Sequence, residues 1–272
     1  MEYEIKPKPK LNFNFVELWE YRELFYFFTW RDVKVKYKQT FLGAAWAVLQ
    51  PLLLMVVFTY FFQSSLKVDV GTSTYPVFVY SGLLLWNIFS SGISNSGNSM
   101  VTNAHIIKKI YFPRLIIPVS AILSSLFDFL IAFVIFIGLL AYYHQLAHLP
   151  SLLLHLPLAL TITFFSTAGL GCLLSALNVK YRDFRYIIPF MMQVLFFVSP
   201  VIYPVNHFND PMVKLILSLN PISGAIEYFR YSVTGIAYDP HVIVYSMLSA
   251  TFFFVTGLIY FRRTENYFAD IA

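Results

Sequence analysis

A chain of 272 residues that is 58% hydrophobic and only 12% charged, with a mean hydropathy of +0.66, carries about half the charge of an ordinary soluble domain and is not built to face water all round. Its net charge of +5 is divided among separate polar stretches rather than gathered on one face, which argues against nucleic acid as a partner. The single cysteine, Cys172, lies inside an apolar run, so it excludes an intramolecular disulfide and reads as a small buried filler.

In chain order, residues 1–10 are polar and proline-punctuated, and no short apolar segment with a small-residue cleavage site follows, so no cleaved signal peptide is expected. Asn14-Phe15-Val16-Glu17 then reads as an N-cap with a carboxylate three residues on, with Phe13 and Leu18 at the staple positions. The helix predicted from there to about Trp30 mixes Leu18, Trp19, Phe25, Tyr26 and Phe28 with Glu17, Glu20, Arg22 and Glu23. Such an amphipathic helix is expected to lie along the membrane surface, its aromatic face among the headgroups.

Six apolar stretches follow, at 44–62, 76–93, 115–143, 152–177, 186–203 and 242–261, each near the roughly 20 residues that a helix needs to cross about 30 Å of hydrocarbon. None alternates with period 2, so the expected fold is an all-α polytopic membrane protein rather than a barrel. Between the second and third stretches, the polar segment 94–114 is longer than a tight connection and has room for a short cytoplasmic helix running across the span ends, a natural docking point. Between the fifth and sixth, segment 204–241 is too apolar for a solvated loop: Leu215, Ile216, Leu217, Leu219, Ile222, Ile226, Tyr228 and Phe229 all need cover. Asn220-Pro221 splits it, which predicts two short helices re-entering the membrane as an outer hairpin.

Six crossings put both termini on one side. With that side cytoplasmic, 16 of the 19 lysines and arginines lie inside and only Lys67, Lys214 and Arg230 outside, as the positive-inside rule requires. The expected organisation is a cytoplasmic N-terminus at 1–43, a transmembrane domain at 44–261 containing the inner loop 94–114 and the outer hairpin 204–241, and a cytoplasmic tail at 262–272.

Chemistry is sparse. There is no G-x-x-x-x-G-K-[ST] phosphate loop and no Gly-Lys pair, so this chain is not expected to hydrolyse ATP. It contains no H-E-x-x-H, no C-x-x-C and no nucleophile with a histidine and an acid around it, so no catalytic residue, no metal ligand and no enzymatic activity are assigned. Asp128 alone lies deep within a span, which argues against an ion-driven carrier that would need several such groups; its plainer reading is a hydrogen-bonded helix-packing residue. Glu227 and Arg230, spaced i, i+3, are expected to pair and hold the outer hairpin in shape. Trp46, Phe58 and Phe62 on the first span, with Met191, Phe196 and Phe197 on the fifth, offer faces on which the C–H surfaces of sugars or lipid chains pack, although each also serves as lipid-facing bulk.

The order of parts resembles the permeases of type-2 ABC exporters. The likeness rests on Arg31-Asp32-Val33-Lys34-Val35-Lys36-Tyr37-Lys38-Gln39-Thr40, on Phe41-Leu42-Gly43-Ala44-Ala45-Trp46 and Gln50-Pro51 leading into the first span, on the polar inner loop, and on Asn220-Pro221 followed by Glu227-Tyr228-Phe229-Arg230. It covers essentially the whole chain and is nearest to the O-antigen polysaccharide branch, with teichoic-acid and capsule permeases as relatives. The resemblance implies a homodimer in the bacterial inner membrane, two cytoplasmic ATPase subunits that bind ATP and Mg, and a channel at the dimer interface for a lipid-linked polysaccharide. It also implies roles. Asn98, Asn103, His105, Ile106, Lys108, Lys109 and Tyr111 would couple to the ATPase. Arg31, Lys34, Tyr37, Leu42 and Gly43 would form the cytoplasmic mouth. The aromatic and methionine residues named above would line the channel, and Tyr203, Asn220, Pro221, Glu227 and Arg230 would form the outer gate. Three other readings are an ABC exporter of small molecules or drugs, a membrane-embedded glycan-lipid transferase, and a secondary carrier.

Overall fold

The computed structural model describes residues 15–38, 45–66, 70–265 and 268, and every regular element among them is a helix. Two helices precede the first span: α1 (Phe15–Glu20) and, after an interruption at Tyr21, α2 (Arg22–Lys38). The N-cap and staple positions Asn14 and Phe13 lie outside the described residues. α2 outruns its expected end at Trp30 because the basic stretch through Lys38 continues the helix, with Lys36 and Lys38 in the last turn where cations suit the helix dipole.

Among the described residues, α3 (Ala45–Leu66), α4 (Tyr75–Thr102), α6 (Ile116–Tyr142), α7 (Leu149–Lys180) and α11 (Pro240–Thr264) are the five helices long and apolar enough to cross a membrane. The sixth apolar stretch, expected at 186–203, is helical only over α8 (Phe184–Val198), about 22 Å long at 1.5 Å per residue and short of the hydrocarbon thickness by itself. It stops where Ser199-Pro200 follows, since proline restricts its predecessor. The inner loop holds α5 (Ala104–Ile107), a single turn. The outer segment holds α9 (Pro211–Leu219) and α10 (Ser223–Thr234). The boundary expected at 261/262 falls inside α11, which continues to Thr264 with Arg262 and Arg263 in its last turn.

Helix starts follow local chemistry. Asp210 and Asp239 accept from the backbone N–H of Met212 (2.8 Å) and His241 (2.9 Å), and each is followed by a proline at the first helical position. α10 stops at Gly235, whose φ of 68° is open to glycine at little cost.

α4 is the central helix, buried along most of its length against α6 and α7, with α3, α8 and α10 completing its surroundings. α7 is the second hub, packing on α4, α11, α10 and α6. α7 and α11 touch through backbone: a Cβ added at Gly257 would run into the Gly169 carbonyl, the small-residue contact that helices use in lipid. α3, α8 and α11 instead expose broad apolar faces, including Leu53, Val56, Tyr60 and Phe61 on α3 and Phe190 and Phe197 on α8.

α2 packs along α6. Phe28 meets Phe112 at 5.7 Å just before α6, Trp30 meets Phe127 at 6.4 Å, and Lys36 reaches Asp128. The C-terminal end of α11 is tied to the corner before α6, where Arg114 binds Glu265 through backbone and side chain.

Candidate functional site

Arg31, Lys34 and Tyr37, three of the residues expected at a cytoplasmic mouth, lie on α2 where it packs along α6. Asp128, the twelfth residue after Ile116, stands about 18 Å along α6. A carboxylate so far inside an apolar helix needs compensation. It comes from α2: the Lys36 ammonium and the Tyr37 hydroxyl both donate to it, one to each oxygen. Burial, followed by the hydrogen bond to this carboxylate, pushes the Tyr37 phenol above its ordinary value. Arg31 and Lys34 belong to α2's own surface instead: the Arg31 guanidinium lies 4.8 Å from the Phe28 ring and 2.7 Å from Asp32, and Lys34 lies 5.3 Å from the Trp30 ring. Leu42 and Gly43 fall outside the described residues. Sequence reasoning isolated Asp128 but missed Lys36 as its partner; the available signal was the basic run just ahead of the first span, which α2 folds back onto α6. Beside this group opens a cavity of about 700 Å³ between α2, α3, α4, α6 and α8.

The residues expected to line a channel divide into two sets. Phe58 is buried, 5.6 Å from both Phe62 and Phe196, and Phe196 stands 5.4 Å from Trp86 of α4, so these rings form one packed cluster between α3, α4 and α8. Met191 is half-buried against the same core. Phe197, 63% exposed, lies on the open surface, and Trp46, 54% exposed, borders the cavity beside Asp128. Trp86 was not singled out in the sequence, where it reads as one more aromatic in an apolar span.

The inner loop divides likewise. Asn103 is buried and donates to the Ser99 carbonyl (2.8 Å). Asn98 donates to Ser94 (2.9 Å) and accepts from Asn178 of α7 (3.1 Å). Both asparagines therefore brace the end of α4. His105, Lys108, Lys109 and Tyr111 face outward, joined by exposed Ile110, while Ile106 is half-buried and Ile107 buried. The outward set makes a basic and aromatic cap on the end of the bundle.

At the end of the bundle expected to face outward, α10 is buried among α4, α7 and α11 while α9 leaves Met212, Leu215, Ile216 and Leu219 exposed. The turn between them is pinned from several directions. Ser166 of α7 donates to the Pro221 carbonyl (2.8 Å), Ser246 of α11 to the Asn220 carbonyl (3.1 Å), and the Asn220 amide to the Ser199 hydroxyl (2.8 Å). Arg230, 3% exposed, donates to the carbonyls of Pro200 and Val201 (2.8 Å each) and lies 3.7 Å from the Phe78 ring centroid. Those two carbonyls are orphaned where α8 gives out, so the guanidinium supplies the donors that a helix would have provided. Glu227 is 3.6 Å from Arg230, an ion pair but beyond hydrogen-bond reach, and accepts from the Val205 N–H at 3.1 Å. Tyr203 donates to the Phe197 carbonyl, joining the end of α8 to the hairpin's approach.

Comparison with known sequences adds an independent line. The profile of the ABC-2 type transporter family matches residues 23–234. The O-antigen export system permease protein RfbA of Myxococcus xanthus is 29% identical over 79% of this chain and 81% of its own length. A protein of the same description from Klebsiella pneumoniae is 28% identical over 89% of this chain and 92% of its own. The polysialic acid transport protein KpsM of Escherichia coli is 23% identical over 75% of this chain and 78% of its own.

Proposed function

The chain belongs to the ABC-2 type transporter family, and from that membership we propose that it is the permease subunit of an ATP-driven exporter that moves a lipid-linked polysaccharide of the O-antigen class out of the cytoplasm across the bacterial inner membrane. The observation that carries this reading is the match to polysaccharide-export permeases over most of their length and of this chain's. In this reading the chain crosses the membrane six times, α8 and the residues after it making the crossing that α8 alone is too short for, with both termini cytoplasmic. The packing of α10 and the pinning of its turn to Ser166, well inside α7, support a re-entrant outer hairpin, since irregular backbone at membrane depth must be enclosed by protein.

The chain has no phosphate loop, so the energy comes from elsewhere. Two cytoplasmic ATPase subunits bind ATP and Mg and press on the outward face of the inner loop, His105, Lys108, Lys109 and Tyr111. Two copies of the permease meet through the exposed faces of α3 and α8 and leave a path between them, with α1 and α2 at its cytoplasmic mouth and the hairpin at its outer end. ATP closure favours one of two arrangements of the permease pair, which is the differential interaction that coupled transport requires.

The test is genetic and chemical. Deleting the gene should remove surface polysaccharide while lipid-linked polymer accumulates inside the cell, and disabling the partner ATPase should reproduce both effects. Surface polysaccharide persisting in either strain would overturn the reading, as would ATP hydrolysis by the purified permease alone.

A further inference from the structure

We propose that the cavity beside Asp128 is a carbohydrate-binding site, which holds one uncharged sugar unit of the cargo against the Trp46 ring; the inference rests on the export reading and specifies what part of the cargo the permease grips. At about 700 Å³ the cavity has the size of a small-molecule cleft rather than a packing defect. Its wall mixes donors and acceptors in the way a polyhydroxylated ring demands: the Gln50 and Asn87 amides and the Ser125 hydroxyl offer both, while the Ser91 hydroxyl, whose proton goes to the Asn87 carbonyl, and the Asp128 carboxylate accept. Trp46, 54% exposed, supplies an apolar face of the kind on which sugar C–H groups pack.

Three further observations separate this from a polar seam that merely joins helices. The Ser125 hydroxyl lines the cavity, is 1% exposed and has no hydrogen-bond partner among the described residues, so the site contains a buried polar group awaiting one. Lys36 and Tyr37 engage one oxygen each of Asp128, and each carboxylate oxygen retains acceptor capacity for a hydroxyl from the cavity side. The charged lining groups, Lys36 and Asp128, cancel one another, so the cavity is matched to a neutral ligand better than to a phosphate or a cation. α2 thereby acts as the positioning element: it fixes the carboxylate while the ring occupies the open side.

The experiment uses the complete transporter, permease with its ATPase, in lipid nanodiscs. The probe is the delipidated oligosaccharide released from the producing bacterium's own surface polysaccharide, with inorganic phosphate and n-octyl phosphate as the competing chemistry. Binding is read as a ligand-dependent change in tryptophan emission, assigned to the site by its loss in Trp46→Phe. The expected result is saturable oligosaccharide binding, weakened at least tenfold by Asn87→Leu, which keeps the forked outline and removes the amide's hydrogen bonds, and not displaced by either phosphate. No oligosaccharide signal, an undiminished affinity in Asn87→Leu, or displacement by phosphate overturns the proposal. Should Asn87→Leu fail to assemble on size exclusion, Ser91→Ala and Gln50→Ala decide by the same affinity criterion. Surface polysaccharide that persists when the gene is deleted overturns the export reading and the site with it. Loss of surface polysaccharide on deletion, with binding and export by Asn87→Leu equal to wild type, overturns the site alone.

Discussion

Replacing Arg230 by methionine tests the outer hairpin most directly. The substitution keeps an apolar stem over Phe78 but removes both hydrogen bonds to the Pro200 and Val201 carbonyls and leaves Glu227, 8% exposed, without its cation. Breaking a buried charged pair costs about 3–5 kcal/mol, and hydrogen bonds from a charged donor are worth about 1.5–3 kcal/mol each, but these overlap and the lower figure of about 3 is the safer expectation. At about 2–4 °C per kcal/mol for a chain of this size class, the detergent-solubilised permease should unfold about 6–12 °C lower. Glu227→Gln is the control. Its amide oxygen still accepts from the Val205 N–H, and Arg230, already 3.6 Å from the carboxylate, keeps both carbonyls, so about 1 kcal/mol is expected. The assay is thermal denaturation followed by fluorescence-detected size exclusion. An Arg230→Met protein that melts within about 2 °C of wild type, or a Glu227→Gln protein that falls just as far, would refute the view that the guanidinium anchors the hairpin through the two carbonyls.

Phe58→Ala should destabilise by about 2 kcal/mol, below the usual 3–5 for a buried Phe because in lipid only the packing part of the cost remains, whereas Phe197→Ala, exposed within one copy and touching only the edge of the cluster at Phe196, should cost about 1 kcal/mol or less; equal effects would contradict the burial difference. Gly257→Val should drive α7 and α11 apart and cost at least about 1–3 kcal/mol, seen as loss of the monodisperse peak on size exclusion, since a Cβ there meets backbone that cannot rotate away. Reversing Lys108 and Lys109 to glutamate should leave melting unchanged, both being exposed, but should weaken co-purification of the partner ATPase at low salt; retention equal to wild type would remove the inner loop from the docking surface. Asp128→Asn should lower melting by about 4 °C at most, because Lys36 is nearly half exposed and such a pair is worth about 1 kcal/mol or less.

What the sequence made legible was whatever depends on near neighbours along the chain. Apolar runs of membrane length marked α3, α4, α6, α7 and α11, and Asn220-Pro221 marked the break between α9 and α10. The Glu227–Arg230 spacing gave their pairing, though not that Arg230 spends its hydrogen bonds on the carbonyls of residues 200 and 201, thirty positions away. Non-local facts stayed hidden for the same reason. Nothing in an apolar run tells that Asp128 meets Lys36, 92 residues earlier, or that Phe58 turns inward to Phe196 while Phe197 turns out. Asn98 and Asn103 fell in the polar inner loop expected to couple to the ATPase, but α4 continues to Thr102 and uses both to finish its own backbone.

The contact of Gly169 with Gly257 bears on where this protein can bend. Helices whose main chains touch have no side-chain cushion along which to slide, and a Cβ at Gly224 of α10 would likewise crowd Ser246 and Ile243 of α11. α7, α10 and α11 are therefore expected to move as one unit, and on the export reading proposed above the stroke falls to α3 and α8, which hold the bundle through fewer close contacts. A covalent tether between α7 and α11 should leave a working pump working, while one that fastens α3 to α4 should jam it.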